Sequence, residues 1–328
     1  MIKLSHISKD YRISKREPGL KAAVKAFVHK EYEIVSALKD ISFEISDGEI
    51  VGYIGPNGAG KSSTIKIMSG ILTPTDGTCV INGKIPWKNR VEYVKEIGVV
   101  FGQRSQLWWD VPVNDSFALL KDIYRVSDAD YRKRLSGLEE ILDLGELLKI
   151  PARQLSLGQR MRCEIGASLL HQPKILFLDE PTIGLDAVSK LAVRSMIRMI
   201  NREYGTTIIL TTHDMQDIES VANRILFIGK GRILMDGTME ELKRRYASQK
   251  TIEVWYGGAV SIKDIQWQKG IEIQSQNKNR KTFSVNTNLC SISDALHMLS
   301  KESKIKDIQI KEADTEEIVA SLYKEYHV

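Results

Sequence analysis

Short apolar segments alternate with longer amphipathic ones over roughly the first three quarters of the chain. Ile50 to Ile54 is a compact apolar run, and Ile175 to Leu178 and Thr206 to Leu210 are two more, rich in branched residues. Runs of this length and composition are typical of strands buried on both faces of a parallel sheet. Leu38 to Ile45 instead alternates at period two, which predicts a strand with one exposed face. The pattern as a whole predicts an α/β fold.

Two parts of the chain depart from this alternation. Between residues 104 and 172 the apolar spacing is helical, so we expect a helical subdomain inserted in the α/β core. Beyond about Ser248 the character changes again, and we predict a separate small α+β domain. The predicted domains are therefore residues 1–245 and 249–328. The elements expected in the second are strands at Thr251 to Tyr256 and Lys281 to Asn286 and helices at Ile292 to Leu299 and Thr315 to Tyr326.

Local signals mark the end of the first domain. Arg224 to Ile228 and Arg232 to Met235 flank a Gly-Lys-Gly sequence, which predicts a tight hairpin. Thr238 to Glu241 matches a capping box and predicts the start of a short helix.

Composition restricts the class of protein. The 328 residues are 42% hydrophobic and 27% charged with a net charge of +5, which permits an anionic surface as partner but does not require nucleic acid. The three cysteines are far apart, so neither a disulfide framework nor a zinc site is indicated. No run of about 18 apolar residues is present. We expect a cytosolic protein without a nucleic-acid partner, and a membrane process would need another chain.

The strongest motif follows the strand at Ile50 to Ile54. The sequence fits G-x-x-x-x-G-K-[ST] at every fixed position, which is the pattern of a loop that wraps a nucleotide triphosphate. The glycines let backbone N–H groups face the phosphates, Lys61 supplies a positive charge, and the hydroxyl of Ser62 can ligate Mg²⁺. The residues expected to bind the phosphates are Gly55, Pro56, Asn57, Gly58, Ala59, Gly60, Lys61, Ser62 and Ser63.

Acidic and basic groups follow two later strands. Asp179 ends the apolar run at Ile175, where its carboxylate can hold the hydrated Mg²⁺. Glu180 is the candidate to orient or deprotonate the attacking water. His213 follows the strand at Thr206, at the sheet edge where ligands bind in open α/β sheets. Together with the phosphate loop, these residues predict hydrolysis of a nucleotide triphosphate.

In this order the motifs resemble the ATP-binding subunits of ABC transporters over residues 1 to about 240. The loop at Gly55 to Ser62 resembles the Walker A motif, and Ile175 to Asp179 resembles Walker B. Leu155 to Gln159 resembles the signature L-S-G-G-Q, and Gly184 to Asp186 resembles the D-loop. The resemblance implies a P-loop NTPase core with an antiparallel β subdomain and ATP and Mg²⁺ as cofactors.

The resemblance also implies roles for single residues. Glu180 would be the catalytic glutamate, His213 the switch histidine, and Gln103 the Q-loop glutamine that contacts Mg²⁺ and the attacking water. The residues that would bind the nucleotide beyond the loop are Tyr11, Ser156, Gly158, Gln159 and Asp186.

Three features depart from the family pattern. Leu157 replaces the first glycine of the signature. The Q-loop carries an extra residue, and Gln106 lies close to Gln103. Tyr11 matches the aromatic residue that stacks on adenine, but about 20 extra residues follow it before the next strand. A tyrosine at the surface end of a strand would give the same pattern.

The family resemblance further implies a head-to-tail dimer, with a second copy of the chain or a related ATPase subunit. Each ATP would contact Lys61 of one copy and Ser156 and Gly158 of the other. The N-terminus of the signature helix offers a second anion site, so ATP would close the dimer and hydrolysis would let it open.

Two segments bear on transport. Trp108 and Trp109 lie near the expected contact with a permease, although core packing is an alternative explanation. Residues 14–33 form an insertion with one apolar stripe and three nearby lysines, typical of an amphipathic basic helix that either packs on its own domain or lies against the permease at the membrane. Insertion and C-terminal domain are both similar to those of exporter ATPases for polysaccharides, drugs and antibiotics.

We therefore expect a peripheral ATPase at the cytoplasmic face of a bacterial membrane, driving export through separate permease subunits. A soluble assembly ATPase of the same family is the alternative, although it would leave the basic insertion unexplained. An importer ATPase would carry the same motifs. The sequence names no cargo.

Overall fold

The computed structural model describes residues 1–14, 32–102, 104–245, 248–258, 269–277, 279–312 and 315–326. These residues divide into two compact units, Met1–Gly237 and Thr238–Val328. The insertion at residues 14–33 lies almost wholly outside the described residues, and so does Gln103.

Thirteen strands occur in the described ranges. In chain order they are β1 (Ile2–Ser14), β2 (Tyr32–Ile45), β3 (Ile50–Ile54), β4 (Asp76–Ile81), β5 (Ile97–Phe101), β6 (Ile175–Asp179), β7 (Thr207–Thr212), β8 (Arg224–Gly229), β9 (Arg232–Thr238), β10 (Gln249–Tyr256), β11 (Ile271–Gln276), β12 (Arg280–Asn286) and β13 (Ile305–Glu312).

Ten α-helices accompany them in the same ranges. They are α1 (Lys61–Met68), α2 (Arg90–Tyr93), α3 (Val113–Ile123), α4 (Asp128–Leu142), α5 (Leu157–Leu169), α6 (Ala187–Tyr204), α7 (Met215–Val221), α8 (Met239–Arg245), α9 (Ile292–Glu302) and α10 (Thr315–Glu325). Short 3-10 turns cover Val94–Glu96, Gly145–Lys149 and Ala152–Gln154.

The first unit contains two sheets. A six-stranded sheet has the order β5-β6-β7-β3-β8-β9, and the pairs from β5 to β8 are parallel. Every residue of β3 and β7 is buried, which agrees with the apolar runs in the sequence. A three-stranded antiparallel sheet, β2-β1-β4, shares one hydrophobic core with the parallel sheet. The mixed α/β prediction for this unit is confirmed.

Strand register determines where the site lies. Phe101 pairs with Asp179, Asp179 with Thr211, and Thr211 with Tyr53, across four neighbouring parallel strands. The carboxyl ends of β3, β5, β6 and β7 therefore lie level with one another, so the segments that follow these strands meet along one edge of the sheet. The helices α3, α4 and α5 occupy the stretch predicted to be a helical subdomain.

The second unit is a four-stranded antiparallel sheet of order β11-β12-β10-β13 with a hydrophobic core of its own. Both predicted strands and both predicted helices are present. The predicted capping box is present too, since Glu241 N–H donates to Thr238 Oγ1 at 3.1 Å and Thr238 N–H donates to Glu241 Oε2 at 2.8 Å.

The division between the units lies earlier than in the sequence analysis, which assigned residues up to 245 to the first domain. Helix α8 belongs to the second unit, where Arg245 forms an ion pair with Glu325 of α10. No helix among the described residues is both long enough and apolar enough to cross a membrane.

Candidate active site

The phosphate loop connects β3 to α1 and brings its backbone close to the strands around it. A Cβ atom at Gly55 would lie 2.4 Å from the carbonyl oxygen of Ile228, and one at Gly60 would lie 2.9 Å from that of Ala37. Gly60 also has a φ of +113°, which favours glycine. Gly58, at the exposed tip of the loop, would meet nothing within 4 Å. The loop is thus tightly packed on one side and open on the other.

Lys61 starts α1 and is almost completely buried. Its Nζ donates to the carbonyl oxygens of Gly55 at 2.7 Å and Pro56 at 3.3 Å, and lies 3.7 Å from Glu180 Oε1. Burial lowers the pKa of Lys61, while the carboxylates of Glu180 and Asp179 act in the opposite direction. A cavity of about 190 Å³, lined by the loop together with Ala37 and Glu180, opens beside this ammonium group.

Ser62 and Asp179 come together from distant parts of the chain. The Ser62 hydroxyl donates to Asp179 Oδ1 at 3.4 Å, and the same carboxylate oxygen accepts from Thr211 Oγ1 at 2.6 Å. Hydroxyl and carboxylate oxygens are ligands that Mg²⁺ prefers, and this cation is usually held by one or two protein groups plus phosphate oxygens and water. The pair fits such a site. Among the described residues no group of three or more His, Cys, Asp or Glu side chains is placed to hold a metal.

Glu180 lies with its carboxylate between Lys61 and His213. Its carboxylate is 3.5 Å from His213 Nδ1, and its backbone has a φ of +54°, an unusual value for a residue other than glycine. The backbone N–H of Glu180 donates to the carbonyl oxygen of Thr211 at 3.1 Å. His213 is more than half exposed, whereas Glu180 is 20% exposed. The two side chains therefore lie at the mouth of the site.

The signature segment caps helix α5. Ser156 Oγ accepts from the N–H of Gln159 at 3.2 Å, and Gln159 Oε1 accepts from the N–H of Ser156 at 2.9 Å. This reciprocal pair fixes the helix N-terminus, where backbone N–H groups and the helix dipole favour an anion. Leu157, which departs from the family signature, lies against Gly184.

Asp186 is the N-cap of the neighbouring helix α6, without a reciprocal bond. Its carboxylate accepts from the N–H of Ser189 and from the Ser189 hydroxyl, both at 2.9 Å, and the backbone hydrogen bond lowers the pKa of Asp186. A Cβ atom at Gly158 would lie 2.4 Å from Ser189 Oγ. The signature and the D-loop segment thus pack against each other within one chain.

Tyr11 reaches the helix that follows the phosphate loop. Its hydroxyl lies 3.3 Å from Ser63 Oγ, and Lys9 Nζ lies 5.6 Å from the centre of its ring. Its neighbour in β2 is Val35. Tyr11 is half-buried beside the site. It is therefore not simply a surface tyrosine at the end of a strand, the alternative that the sequence left open.

The other candidate glutamine, Gln106, is bound inside the helical region. Its N–H donates to Glu164 Oε2 at 3.1 Å and its side-chain amide to the carbonyl oxygen of Glu164 at 2.9 Å. Glu164 is buried in α5, and burial raises the pKa of its carboxyl. Gln106 therefore connects the segment after β5 to the signature helix.

The two tryptophans are not core residues. Trp108 is 43% exposed and Trp109 is 50% exposed. Trp109 also lies beside the guanidinium of Arg160 in α5, 5.6 Å from ring centre to Cζ. Core packing, one of the two explanations considered from the sequence, is therefore wrong. Three more apolar side chains on and just before α3 are exposed: Val111, Leu119 and Ile123.

A buried polar cluster behind the site was missed in the sequence analysis. Asp217 of α7 is fully buried and accepts from Arg194 Nε at 2.6 Å, from Thr212 Oγ1 at 3.3 Å and from the Thr182 hydroxyl. The cluster joins the segment after Glu180, helix α6 and the segment that carries His213. Its members are up to 35 residues apart along the chain, and no motif spacing links them.

Comparison with known proteins gives a consistent family. A family model described as ABC transporter matches residues 38–183. The linearmycin resistance ATP-binding protein LnrL of Bacillus subtilis is 31% identical over 231 residues, covering 70% of this chain and 74% of the relative. The methionine import ATP-binding protein MetN of Clostridioides difficile is 33% identical over 219 residues, 66% of this chain and 68% of the relative.

Solved structures that are similar to this chain are also ATP-binding cassettes of ABC transporters. One is a dimeric post-hydrolysis state of the ATP-binding cassette MJ0796 bound to ADP and Pi, with a TM-score of 0.60 and 27% identity over 73% of this chain and 99% of that one. Another is cbiO1 of Clostridium perfringens, part of the transporter complex cbiONQ, with a TM-score of 0.60 and 25% identity over 74% of this chain and 93% of that one.

Proposed function

Because the chain belongs to the ABC transporter family, whose cassettes bind and hydrolyse ATP, we propose that it is the ATPase subunit of an exporter whose permease subunits are separate chains. The observation that carries the catalytic part is the Glu180 carboxylate, which lies within 4 Å of both the phosphate-loop lysine and His213. A base, a phosphate ligand and a histidine are thus gathered at one edge of the sheet.

The proposed chemistry assigns a role to each group. The N–H groups of the loop and Lys61 bind the β- and γ-phosphates, and Glu180 takes the proton of the attacking water. Ser62 and Asp179 hold Mg²⁺, which neutralises charge on the phosphates when bound. His213 would contact the γ-phosphate beside Glu180. Gln103, which lies outside the described residues, keeps the role predicted for it from the sequence.

We propose that Tyr11 packs its ring on the adenine. An aromatic ring stacked on a base contributes about 1–3 kcal/mol. Tyr11→Ala should therefore weaken ATP binding by about 10-fold, whereas Tyr11→Phe, which keeps the ring and loses the contact with Ser63, should bind almost normally. Equilibrium binding of a fluorescent ATP analogue measures both. Equal losses in the two variants would show that the hydroxyl, and not the ring, supports binding.

A second copy of the chain is the proposed partner for the signature helix. Ser156, Gly158 and Gln159 lie at an exposed helix N-terminus, and Val188 and Leu191 on the adjacent helix α6 are 77% and 62% exposed. An anion site next to exposed apolar side chains suits an interface formed around a phosphate. The relative MJ0796 is dimeric in its solved structure, which supports this arrangement.

The exposed surface around Trp108 and Trp109 is the proposed contact with the permease. Large aromatic side chains are enriched at protein interfaces, and the segment from Trp108 to the end of α3 also exposes Val111, Leu119 and Ile123. The contact between Trp109 and Arg160 places this surface one turn from the signature serine. A permease bound here would lie against the helix that contacts ATP across the dimer.

Co-purification from detergent-solubilised membranes tests this part of the proposal. Trp109→Ala should lose most of the multispan protein that purifies with the wild-type chain, because truncating a central aromatic residue commonly costs about 2 kcal/mol or more of binding energy. Tyr204→Ala is the matched control, since Tyr204 is an aromatic residue of similar exposure at the end of α6.

Recovery of the wild-type chain without any multispan protein would favour the alternative, a soluble assembly ATPase. If the Trp109 variant co-purified with as much multispan protein as the wild type, the proposed contact surface would be wrong, but the permease partner would stand.

Export is the finer part of the proposal. The relatives include both a resistance protein and an import protein, so sequence similarity does not decide direction. The basic segment at residues 14–33 and the second unit, which both resemble parts of exporter ATPases, favour export. We propose that this segment contacts the permease at the cytoplasmic face of a bacterial membrane, where lysines are attracted to anionic lipid.

A further inference from the structure

Thr211 lies next to both acidic residues of the site, Asp179 and Glu180. It lies near the end of β7, is fully buried, and pairs with Asp179 of β6 on one side and Tyr53 of β3 on the other. Thr211 is therefore level with the end of β6 on one side and with the strand that leads into the phosphate loop on the other. Its neighbours earlier in β7, Ile208 to Leu210, are all apolar.

The hydroxyl of Thr211 makes two hydrogen bonds in opposite senses. It donates to Asp179 Oδ1 at 2.6 Å, a short bond to a charged acceptor. It also accepts from the backbone N–H of Glu180 at 3.1 Å, an N–H that it shares with the carbonyl oxygen of the same threonine, also at 3.1 Å. A hydroxyl has one donor and two acceptor positions, so both bonds form at once and each fixes the direction of the other.

These bonds act on the two groups that the proposed reaction needs. The bond to Asp179 Oδ1 leaves its other oxygen, Oδ2, free of this contact, and Oδ1 also faces the Ser62 hydroxyl. The bond to the N–H of Glu180 anchors a residue whose φ is +54°, and this turn brings its side chain towards Lys61 and His213. A strand continuing in the extended conformation would point that side chain elsewhere.

We propose that Thr211 is a positioning residue for ATP hydrolysis, whose hydroxyl fixes the Asp179 carboxylate and the Glu180 backbone relative to each other. The inference rests on the proposed roles of Asp179 and Glu180. The observed contacts of its hydroxyl are with Asp179 and Glu180, so it would act through the two acids. Valine has nearly the same shape and suits a buried strand, so the hydroxyl can be removed with little change in packing.

Thr207 provides a matched control on the same strand. It is also buried, and its hydroxyl accepts from the N–H of Gly48 at 2.8 Å, at the opposite end of β7 from the phosphate loop. Thr207→Val removes one buried hydrogen bond from β7, as Thr211→Val removes two. It alters no group near Asp179 or Glu180.

The test compares steady-state ATP hydrolysis of the full chain in four variants across a Mg²⁺ titration. Thr211→Val and Thr211→Ala should lower kcat by about 10- to 100-fold and shift the Mg²⁺ dependence to higher concentration, since small misplacements of reacting groups have effects of this size. Thr211→Ser, which keeps the hydroxyl, should stay within about 3-fold of wild type. Thr207→Val should keep the wild-type kcat and Mg²⁺ dependence.

Binding of ATP in the presence of EDTA, which is expected to be unchanged, verifies that each variant is folded. Wild-type kcat in a folded Thr211→Val or Thr211→Ala variant, or an equal loss in Thr207→Val, would overturn the inference while leaving the ATPase intact. A wild-type chain that binds ATP but does not hydrolyse it would overturn the proposed roles of Asp179 and Glu180 themselves.

Discussion

Glu180→Gln is expected to abolish nearly all ATP turnover while leaving ATP binding intact. Glutamine has the same shape and can keep the contacts with Lys61 and His213, but its amide cannot accept a proton from water. General-base catalysis contributes about 10²- to 10⁴-fold, so kcat should fall by at least about 100-fold. Phosphate release measures the rate, and equilibrium binding of ATP measures the affinity.

The same variant reports on assembly. When hydrolysis is blocked, ATP should hold two copies together, so light scattering should show an ATP-dependent dimer that persists for Glu180→Gln and decays for the wild type. Glu203→Gln, at an exposed acid of α6, is the control and should behave as wild type in both measurements. Near-normal hydrolysis by Glu180→Gln would remove Glu180 as the base.

Arg194→Met should produce the largest loss of stability among these variants. It leaves the carboxylate of Asp217, which is fully buried, with only the hydroxyls of Thr182 and Thr212 as partners. Removing one partner of a buried ion pair commonly costs about 3–5 kcal/mol of unfolding free energy. Urea denaturation measures it, provided that the transition followed is the one that ATP shifts to higher urea, because that transition belongs to the nucleotide-binding unit.

Two further variants make this result specific. Arg202→Met, on the same helix but with a side chain 76% exposed, should change the unfolding free energy by no more than about 0.5 kcal/mol. Arg194→Met combined with Asp217→Leu should recover part of the loss, because no buried charge then lacks its partner. Identical urea midpoints for Arg194→Met and Arg202→Met would show that the buried pair contributes nothing.

The elements that sequence reasoning located were those with strong local signals. The strand at β3, the glycine loop and the start of α1 are contiguous, so residue spacing alone places Lys61 beside the end of a strand. The buried strands β6 and β7 were recognised from apolar runs. Asp179 at the end of β6 and His213 directly after β7 followed from the rule that ligands bind at this edge of the sheet.

Two of the strands that were not named, β1 and β13, have irregular pairing. Irregular pairing interrupts β1 between Leu4 and Asp10, and β13 has a register shift at the pair formed by Tyr256 and Ile305. A bulge shifts the side chains that follow it to the other face, so the period-two pattern is lost in the sequence even though the strand continues.

Long-range polar contacts were beyond sequence reasoning for a different reason. Asp217 and Arg194 are ordinary charged residues of two amphipathic helices, and only the packing of α6 on α7 buries them together. Thr211 could have been noticed, since it stands two residues before His213 at the same strand end. Its role as a bridge between Asp179 and Glu180 depends on the register of β6 and β7, which the sequence does not specify.

The ribbon formed by β1 and β2 has a mechanical consequence. The two strands remain paired out to Ser14 and Tyr32, and Tyr11 lies only three residues from that end. A displacement of the ribbon tip would be transmitted to Tyr11, because the backbone between them is hydrogen-bonded to the neighbouring strand. If Tyr11 stacks on the adenine as proposed, a partner bound to the residues after Ser14 would change nucleotide affinity through this ribbon, and nucleotide binding would change that partner's affinity in return.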